Sequence, residues 1–372
     1  MNPPSQFCHT PQGPARGPRG QGNSRVPSDA DQRYRCTPCG QTCAATTGTP
    51  CYRVRTAADV VTVVLTLVCH GCALQAMVAA FGLDERTVAA WVARAGQHCQ
   101  QGPQPVVQQG RVDLPPVQAD ELWVKRVGRR VWMAMAVAVP SRLWLGGVIS
   151  PHRHQVLITT RAPLVRSCAH SLARLVGVDG LASYVTACLR VFRPPRRTGR
   201  RGRPRLRLAK ELLLGQGVTR YVQRRVVSVE RRVVRGTEAA IAAVLATSGG
   251  GSGINTAYSA RLNATFRASL APLARRGRAI APTEAVLTAG MWRVGWAYHV
   301  CWLPQRLRLA APAGAPWQWQ EWTPAMAASL PDHRWTMRQR FRDQVPLPPW
   351  VAPKRRGRPP KRVEPPTRAL AT

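Results

Sequence analysis

Acidic side chains are scarce in this chain. Asp plus Glu number 17 against 54 Lys plus Arg, a formal net charge of +37 over 372 residues, which excludes an ordinary metabolic enzyme. Lysine is scarcer still, confined to Lys125, Lys210, Lys354 and Lys361. Nearly all the positive charge therefore sits on guanidinium forks, which match phosphate geometry bidentately. Long apolar runs are also missing. The stretch from Val60 to Cys69 is too short to span a bilayer, and the stretch from Val131 to Ile149 is broken by Pro140 and Arg142, so no membrane helix is expected. The opening Met1-Asn-Pro-Pro-Ser-Gln has neither the charged start nor the apolar stretch of a secretory signal. A cytoplasmic location without membrane contact follows as the expectation. What is present is 45% apolar residues, enough to bury real cores. Folded domains must then carry the charge, and a polyanion, above all nucleic acid, is the expected partner.

Composition changes along the chain mark the expected domains. Residues 1–33 are rich in Pro, Gly, Arg, Ser and Gln, and should not pack on their own. At 34–55 the run Cys36-Thr-Pro-Cys39-Gly40 has the shape of a zinc knuckle, two thiolates converging across a tight turn. A closed tetrahedral site needs four ligands, and Cys8, His9, Cys43 and Cys51 are the nearby candidates. No second CxxC exists, so reduced thiols without metal remain the other reading. Cys168, Cys188 and Cys301, among apolar neighbours, read as core thiols.

Residues 56–100 carry a helix-turn-helix pattern. Helices are expected from Thr56 to Val68, from Leu74 to Phe81 and from Asp84 to Val92, with Gly82 at the turn and Asp84 as a cap. A plain helical hairpin has the same signature; the surrounding charge favours DNA, with Arg86, Thr87 and Arg94 facing the groove. A Pro- and Gln-rich linker covers 101–116. Beyond it, β-rich runs at Leu122 to Val127, Val131 to Val139 and Leu143 to Ile149 predict a three-stranded meander. A helix from Ala162 to Val176, a strand end at Val178-Asp179-Gly180, a helix from Leu181 to Phe192 and a β-run from Val218 to Val234 follow, a mixed α/β pattern over 117–350.

In so basic a chain the carboxylates are informative. Between Glu121 and Glu211 the only acid is Asp179, among 19 Lys and Arg. Asp120 lies near the start of the first β-run and Asp179 at the end of a later one, and aspartates on neighbouring strands can share Mg²⁺, a cation that takes hard oxygen ligands. Surface or capping aspartates, with Asp179 capping the helix from Leu181, are the alternative.

The order of motifs resembles bacterial insertion-sequence transposases of the DDE class. The residues that carry the likeness are the knuckle, the helix-turn-helix, Gln-Ala-Asp120-Glu121-Leu-Trp and Val-Asp179-Gly-Leu-Ala-Ser-Tyr184. They continue with Ile254-Asn-Thr-Ala-Tyr258, Arg261-Leu262-Asn263-Ala-Thr265-Phe-Arg267 and Trp322-Thr-Pro-Ala-Met-Ala-Ala-Ser-Leu-Pro-Asp-His333. The resemblance implies a ribonuclease-H-like α/β catalytic domain, preceded by a zinc-ribbon-like knuckle and an all-α helix-turn-helix domain. It implies three carboxylates on two Mg²⁺ ions, metal-dependent cleavage and strand transfer of DNA, and a homo-oligomer acting on terminal repeats and target DNA near the bacterial nucleoid. It carries Asp120 to the first acid and Asp179 to the second. The third does not match: the family reads Glu-Arg-Leu-Asn where this chain reads Ala260-Arg261-Leu262-Asn263. A methyl group cannot ligate a metal, so impaired catalysis, or an inactive DNA-binding remnant acting as a repressor or end-binding protein, is the consequence. Glu284, the nearest downstream acid, lies in the next expected helix. The family's Tyr-Asn-Phe-Cys reads Tyr298-His299-Val300-Cys301, and the first zinc pair is reduced to Cys8.

Two Arg-Gly-Arg-Pro segments, with Arg201 and Arg203 in the first and Arg356 and Arg358 in the second, resemble AT-hooks. A slim extended backbone lets flanking arginines enter a narrow minor groove. The second lies in the basic tail, 351–372, which reads equally as a solvated tail. Trp317, Trp319 and Trp322 either stack bases or pack inward. Arg261, Asn263 and Arg267 complete the expected DNA-binding set.

Overall fold

A Cys-x-x-Cys-Gly turn and short β-rich runs organise the first 45 residues. The computed structural model of the chain describes residues 7–10, 13, 15–17, 24–28, 33–101, 116–153, 175–193, 195–196, 205–223, 225–274, 279–305, 307–311, 314 and 316–345. These fall into two compact units, one within Met1–Ala45 and one over Thr46–Val345. In the first, β1 (Ser24–Ser28), β2 (Arg33–Cys36) and β3 (Thr42–Ala44) pair antiparallel in that order. The β2–β3 turn closes because Gly40 adopts φ 68°, a left-handed geometry that glycine takes at little cost. Its N–H donates to the Cys36 carbonyl at 2.9 Å.

The second unit opens with α1 (Ala58–Cys69), α2 (Leu74–Phe81) and α3 (Glu85–Gln101). Gly82, at φ 61°, ends α2, and Asp84 Oδ1 accepts the Thr87 N–H at 3.0 Å to cap α3, as the sequence predicts. The expected meander forms as β4 (Pro116–Arg126), β5 (Arg129–Ala138) and β6 (Trp144–Ser150), antiparallel throughout. Next come β7 (Leu175–Asp179), α4 (Ala182–Val191), a small ladder of β8 (Pro195–Arg196) with β9 (Arg205–Leu206), then β10 (Leu213–Val222) and β11 (Arg225–Arg235). One mixed sheet results, in the order β11-β10-β7-β4-β5-β6, with β7 parallel to both β4 and β10.

Three expectations change here. Residues 1–33, expected not to pack, supply β1 to the first sheet, and Phe7 and Cys8 are buried, because pairing with β2 gives the segment backbone partners that its composition does not announce. The helix predicted to reach Val176 does not: Leu175 and Val176 belong to β7, because an apolar run buried on both faces of a parallel strand has no period to separate it from a helix. The rest of that prediction, 154–174, lies outside the described residues. The single β-run from Val218 to Val234 is a hairpin that turns at Gln223, whose φ is 47°.

After the sheet come α5 (Glu238–Ser248), α6 (Ala257–Ser269) and α7 (Glu284–Trp296), which runs into a π-helical turn over Ala297–Cys301. A short ladder of β12 (Arg308–Ala310) and β13 (Trp319–Glu321), then α8 (Pro324–Ala327) and α9 (Met337–Arg342), follow. Trp317 and Trp319 are more than half exposed rather than packed inward. The helices expected over 56–100 and the sheet expected over 117–350 share one core. A Cβ on Gly96 of α3 would overlap Ala289 of α7, and Trp296 Nε1 donates to the Cys99 carbonyl at 3.0 Å. Among the described residues no helix is long and apolar enough to cross a membrane.

Trp144, on β6, sits at the centre of this core against Phe266, Trp292 and His299, with ring centroids 5.5, 5.1 and 5.6 Å away. Burial pushes His299 down to about 4, although its Nε2 is 2.8 Å from the Trp144 carbonyl. Between about 6.5 and 4 the unfolded chain binds one proton more at this residue than the native chain. Its contribution is present above about pH 6.5 and is lost as pH falls toward 4, at up to about 1.4 kcal/mol per pH unit. Urea unfolding at pH 7 and pH 4.5 is expected to reveal this slope in the wild type and a shallower one in His299→Gln. Equal slopes in the two proteins would contradict it.

Candidate metal centre

The register of β4 against β7 pairs Ala119 with Val178, so the next residues, Asp120 and Asp179, sit side by side at the sheet's centre. One further acid joins them. Carboxylate oxygens of Asp120, Glu121 and Asp179 all lie within 4.8 Å of one another. Glu121 is named in the Asp120-Glu121 motif, but its place in the cluster is not evident from sequence. Alternation along a strand sends neighbouring side chains to opposite faces, and only the three-dimensional course of β4 brings both carboxylates together.

Glu121 is held firmly. Its side chain is 2% exposed. Arg153 Nε and Nη2 donate to its Oε1 at 2.8 and 2.5 Å, and the Tyr184 hydroxyl donates to Oε2 at 2.6 Å. Asp179 Oδ1 accepts the Leu181 N–H at 3.1 Å, which closes the turn ahead of α4 but does not cap it: Leu181 is itself the N-cap, and no side chain caps the first turn. Burial, and then the Glu121 charge, push the Asp179 carboxyl up to about 6, against the opposing pull of the Leu181 N–H and Arg153. Such a shift is what two acids sharing a low-dielectric site produce.

Helix α6 docks on this strand through an unexpected residue. Gln118, buried on β4, accepts the N–H groups of Tyr258 and Ser259 at 2.9 and 3.1 Å and donates to Asn255 Oδ1 at 3.1 Å. A side chain from a strand thus satisfies donors in the first turn of the helix. That docking fixes the face α6 presents to the acids. Asn263, expected to contact DNA, is instead 2% exposed and donates through Nδ2 to Asp120 Oδ2 at 2.7 Å. The correction follows from helical period: Ser259, Leu262, Asn263 and Phe266 form the buried stripe, and Ala260 is exposed.

Other expected residues separate. Arg267 lines a cleft of about 490 Å³ together with Glu121, Trp123, Lys125, Trp132 and Arg153. Arg130 lies over the Trp123 ring at 5.1 Å and Arg153 over Trp132 at 4.7 Å. Arg261 lines a different cleft, of about 460 Å³, with Arg142 and Tyr258. At the helical end, Arg86 and Thr87 are exposed on the first turn of α3. Arg94 is half-buried and donates to the Tyr52 carbonyl at 2.6 Å, a structural contact in place of the expected groove contact. Glu284, the nearest downstream acid, is not part of the cluster. It pairs with Arg126 and Arg129 at 3.1 and 2.8 Å, and Arg126 is six residues along β4 from Asp120, about 20 Å away. Arg201, Arg203, Arg356 and Arg358 lie outside the described residues.

In the first unit, thiols of Cys8, Cys36 and Cys39 lie within 4.8 Å of one another, Cys8 and Cys39 at 3.5 Å. Burial raises Cys36 to about 12; it also opposes ionisation of Cys39, but the Gln41 N–H and Thr10 hydroxyl bring that thiol down to about 7. Of the other candidates, Cys43 is half-buried nearby on β3, the His9 ring lies 4.4 Å from that of Phe7 at a tilt of 36°, and Cys51 belongs to the second unit's core. Cys188 and Cys301 are buried, as expected. By donor chemistry the two clusters suit different ions: a hard divalent cation for the carboxylates, a thiophilic one for the sulfurs. No protein-family model and no curated protein matches the chain.

Proposed function

We propose that the chain is a DNA transposase of the DDE type, with a ribonuclease-H-like catalytic domain, that binds the ends of its element and cuts them. The observation that carries this reading is the Asp120, Glu121 and Asp179 cluster at the centre of a sheet whose strand order and directions are compatible with that fold. Carboxylates are otherwise rare in a chain of charge +37, and a cleft of arginine, lysine and tryptophan adjoins them.

Within this reading Asp120 and Asp179 hold Mg²⁺, which when bound would supply Lewis-acid activation of a phosphodiester oxygen. Arg267, Lys125 and Arg153 neutralise the phosphates on either side of the scissile bond, and Trp123 and Trp132 offer faces on which bases can stack. Glu121 orients Arg153. The exposed first turn of α3, with Arg86 and Thr87, is the groove-reading element. Arg261 and the outlying arginines add sequence-independent phosphate contacts. Two DNA ends must be held together, so a homo-oligomer assembles on double-stranded DNA. Mg²⁺-dependent nicking of DNA carrying the terminal repeats that flank the gene, abolished by EDTA, is the expected result. DNA affinity should fall with log salt at about −0.9 per neutralised phosphate. A flat salt response would remove nucleic acid as the partner.

A second reading is favoured by Ala260: the protein keeps the scaffold, binds such ends and does not cut them. Ala260→Glu then gains cleavage that the wild type lacks, whereas equal, robust cutting by both supports the first reading.

The Cys8, Cys36 and Cys39 cluster we assign to zinc. Freshly purified protein is expected to contain about one zinc per chain by mass spectrometry of metals, lost in Cys36→Ser and Cys39→Ser. Metal-free wild-type protein would rule the assignment out.

A further inference from the structure

A buried amide beside the acids has half of its hydrogen-bonding capacity unused. Asn263 is 2% exposed; its Nδ2 donates to Asp120 Oδ2 at 2.7 Å, and its Oδ1 has no hydrogen-bond partner among the described residues. An unsatisfied buried acceptor is destabilising, and native proteins keep few of them. Asp120, the carboxylate beside this amide, can as an anion only accept and so cannot relieve it. A cation among the carboxylates is a partner that an amide oxygen can serve.

We infer that Asn263 Oδ1 is the third protein ligand of a divalent cation held by Asp120 and Asp179, taking the place that Ala260, one helical turn earlier, has vacated. This rests on the proposed metal-dependent function. The placement is imposed by the docking of α6. Gln118 holds the first turn of the helix through Tyr258 and Ser259, and Asn263 follows Ser259 by four residues, on the same face. Amide carbonyl oxygens are ordinary ligands for hard cations. Glu121 is not the substitute: Arg153 occupies its Oε1 and Tyr184 its Oε2. The site so formed carries one negative charge less than a three-carboxylate site, and would hold its ion more weakly.

Mn²⁺ binding to the full chain, followed by electron paramagnetic resonance without DNA, separates the outcomes. Wild type is expected to bind Mn²⁺ at a site lost in Asp120→Asn. Asn263→Leu should weaken that site roughly tenfold, in the range of effects found for groups supporting metal ligands. Asn263→Asp is the decisive variant. If the oxygen at this position ligates the ion, an added charge tightens binding beyond wild type. If Asn263 only donates to Asp120, the substitution sets two carboxylates against each other and weakens binding. Weaker binding in Asn263→Asp, or unchanged binding in Asn263→Leu, overturns the inference while leaving the functional reading intact. Mn²⁺ binding that ignores Asp120→Asn, or its absence, overturns both.

Discussion

Trp144→Ala is expected to lower the unfolding free energy by about 3–5 kcal/mol, the range for removing a buried aromatic ring. Few positions in the chain should cost as much. Trp144 is 1% exposed and lies between α6 and α7, touching Phe266 of the first and Trp292 of the second. Loss of the ring removes both aromatic contacts and opens a cavity that the sheet, held by its ladder of hydrogen bonds, cannot collapse to fill. Marginal stability of about 5–15 kcal/mol makes that a large fraction of the total. A partner position tests the mechanism. A Cβ at Gly295 would overlap the Trp144 ring, so Gly295→Val should itself destabilise by about 1–3 kcal/mol through overpacking. In the double variant the valine enters the space the ring has left, and the two losses should sum to less than the separate values. Urea midpoints of the four proteins give the coupling. Strict additivity would show that the two positions do not share one volume.

How far the fold was legible depended on whether its signals were local. The Gly82 turn and the Asp84 cap were readable because each needs only a few consecutive residues. The meander was readable because Gly128 and Pro140 punctuate it. Strand β7 was misjoined to a helix, since Leu175 and Val176 alone carry no period. The site was legible in its two aspartates, through their rarity in a basic chain. Glu121 was in view as a letter but not as a neighbour of Asp179. Asn263 reads in the sequence as a DNA contact and is buried against Asp120, since Gln118, 145 residues earlier, decides which face of α6 turns inward. Long-range docking of this kind leaves no trace in spacing. Arg94 misled for a similar reason: its acceptor is the Tyr52 carbonyl, and a backbone oxygen has no sequence signature.

Asp120→Asn and Asp179→Asn are expected to reduce Mg²⁺-dependent cleavage roughly a thousandfold, while DNA affinity holds or rises. The first effect follows from what metal activation is worth: several kcal/mol of charge stabilisation, at about 1.36 kcal/mol for each factor of ten in rate. An amide keeps the volume and one oxygen of the carboxylate but loses its charge, so folding survives while the ion loses its principal attraction. The second effect follows from position. The acids adjoin a cleft lined by Lys125, Arg153 and Arg267, where a carboxylate repels the phosphates that those cations attract. Neutralising one acid removes repulsion without removing a contact. The cations should behave in the opposite way: Arg267→Ala lowers affinity for all sequences alike and reduces the salt slope by about one. Electrophoretic mobility shifts and a nicking assay on the same DNA, over a range of salt, measure both quantities. A parallel fall of binding and cleavage in the Asp variants would mean that the acids serve the fold and not the ion, and the catalytic reading would lose its support.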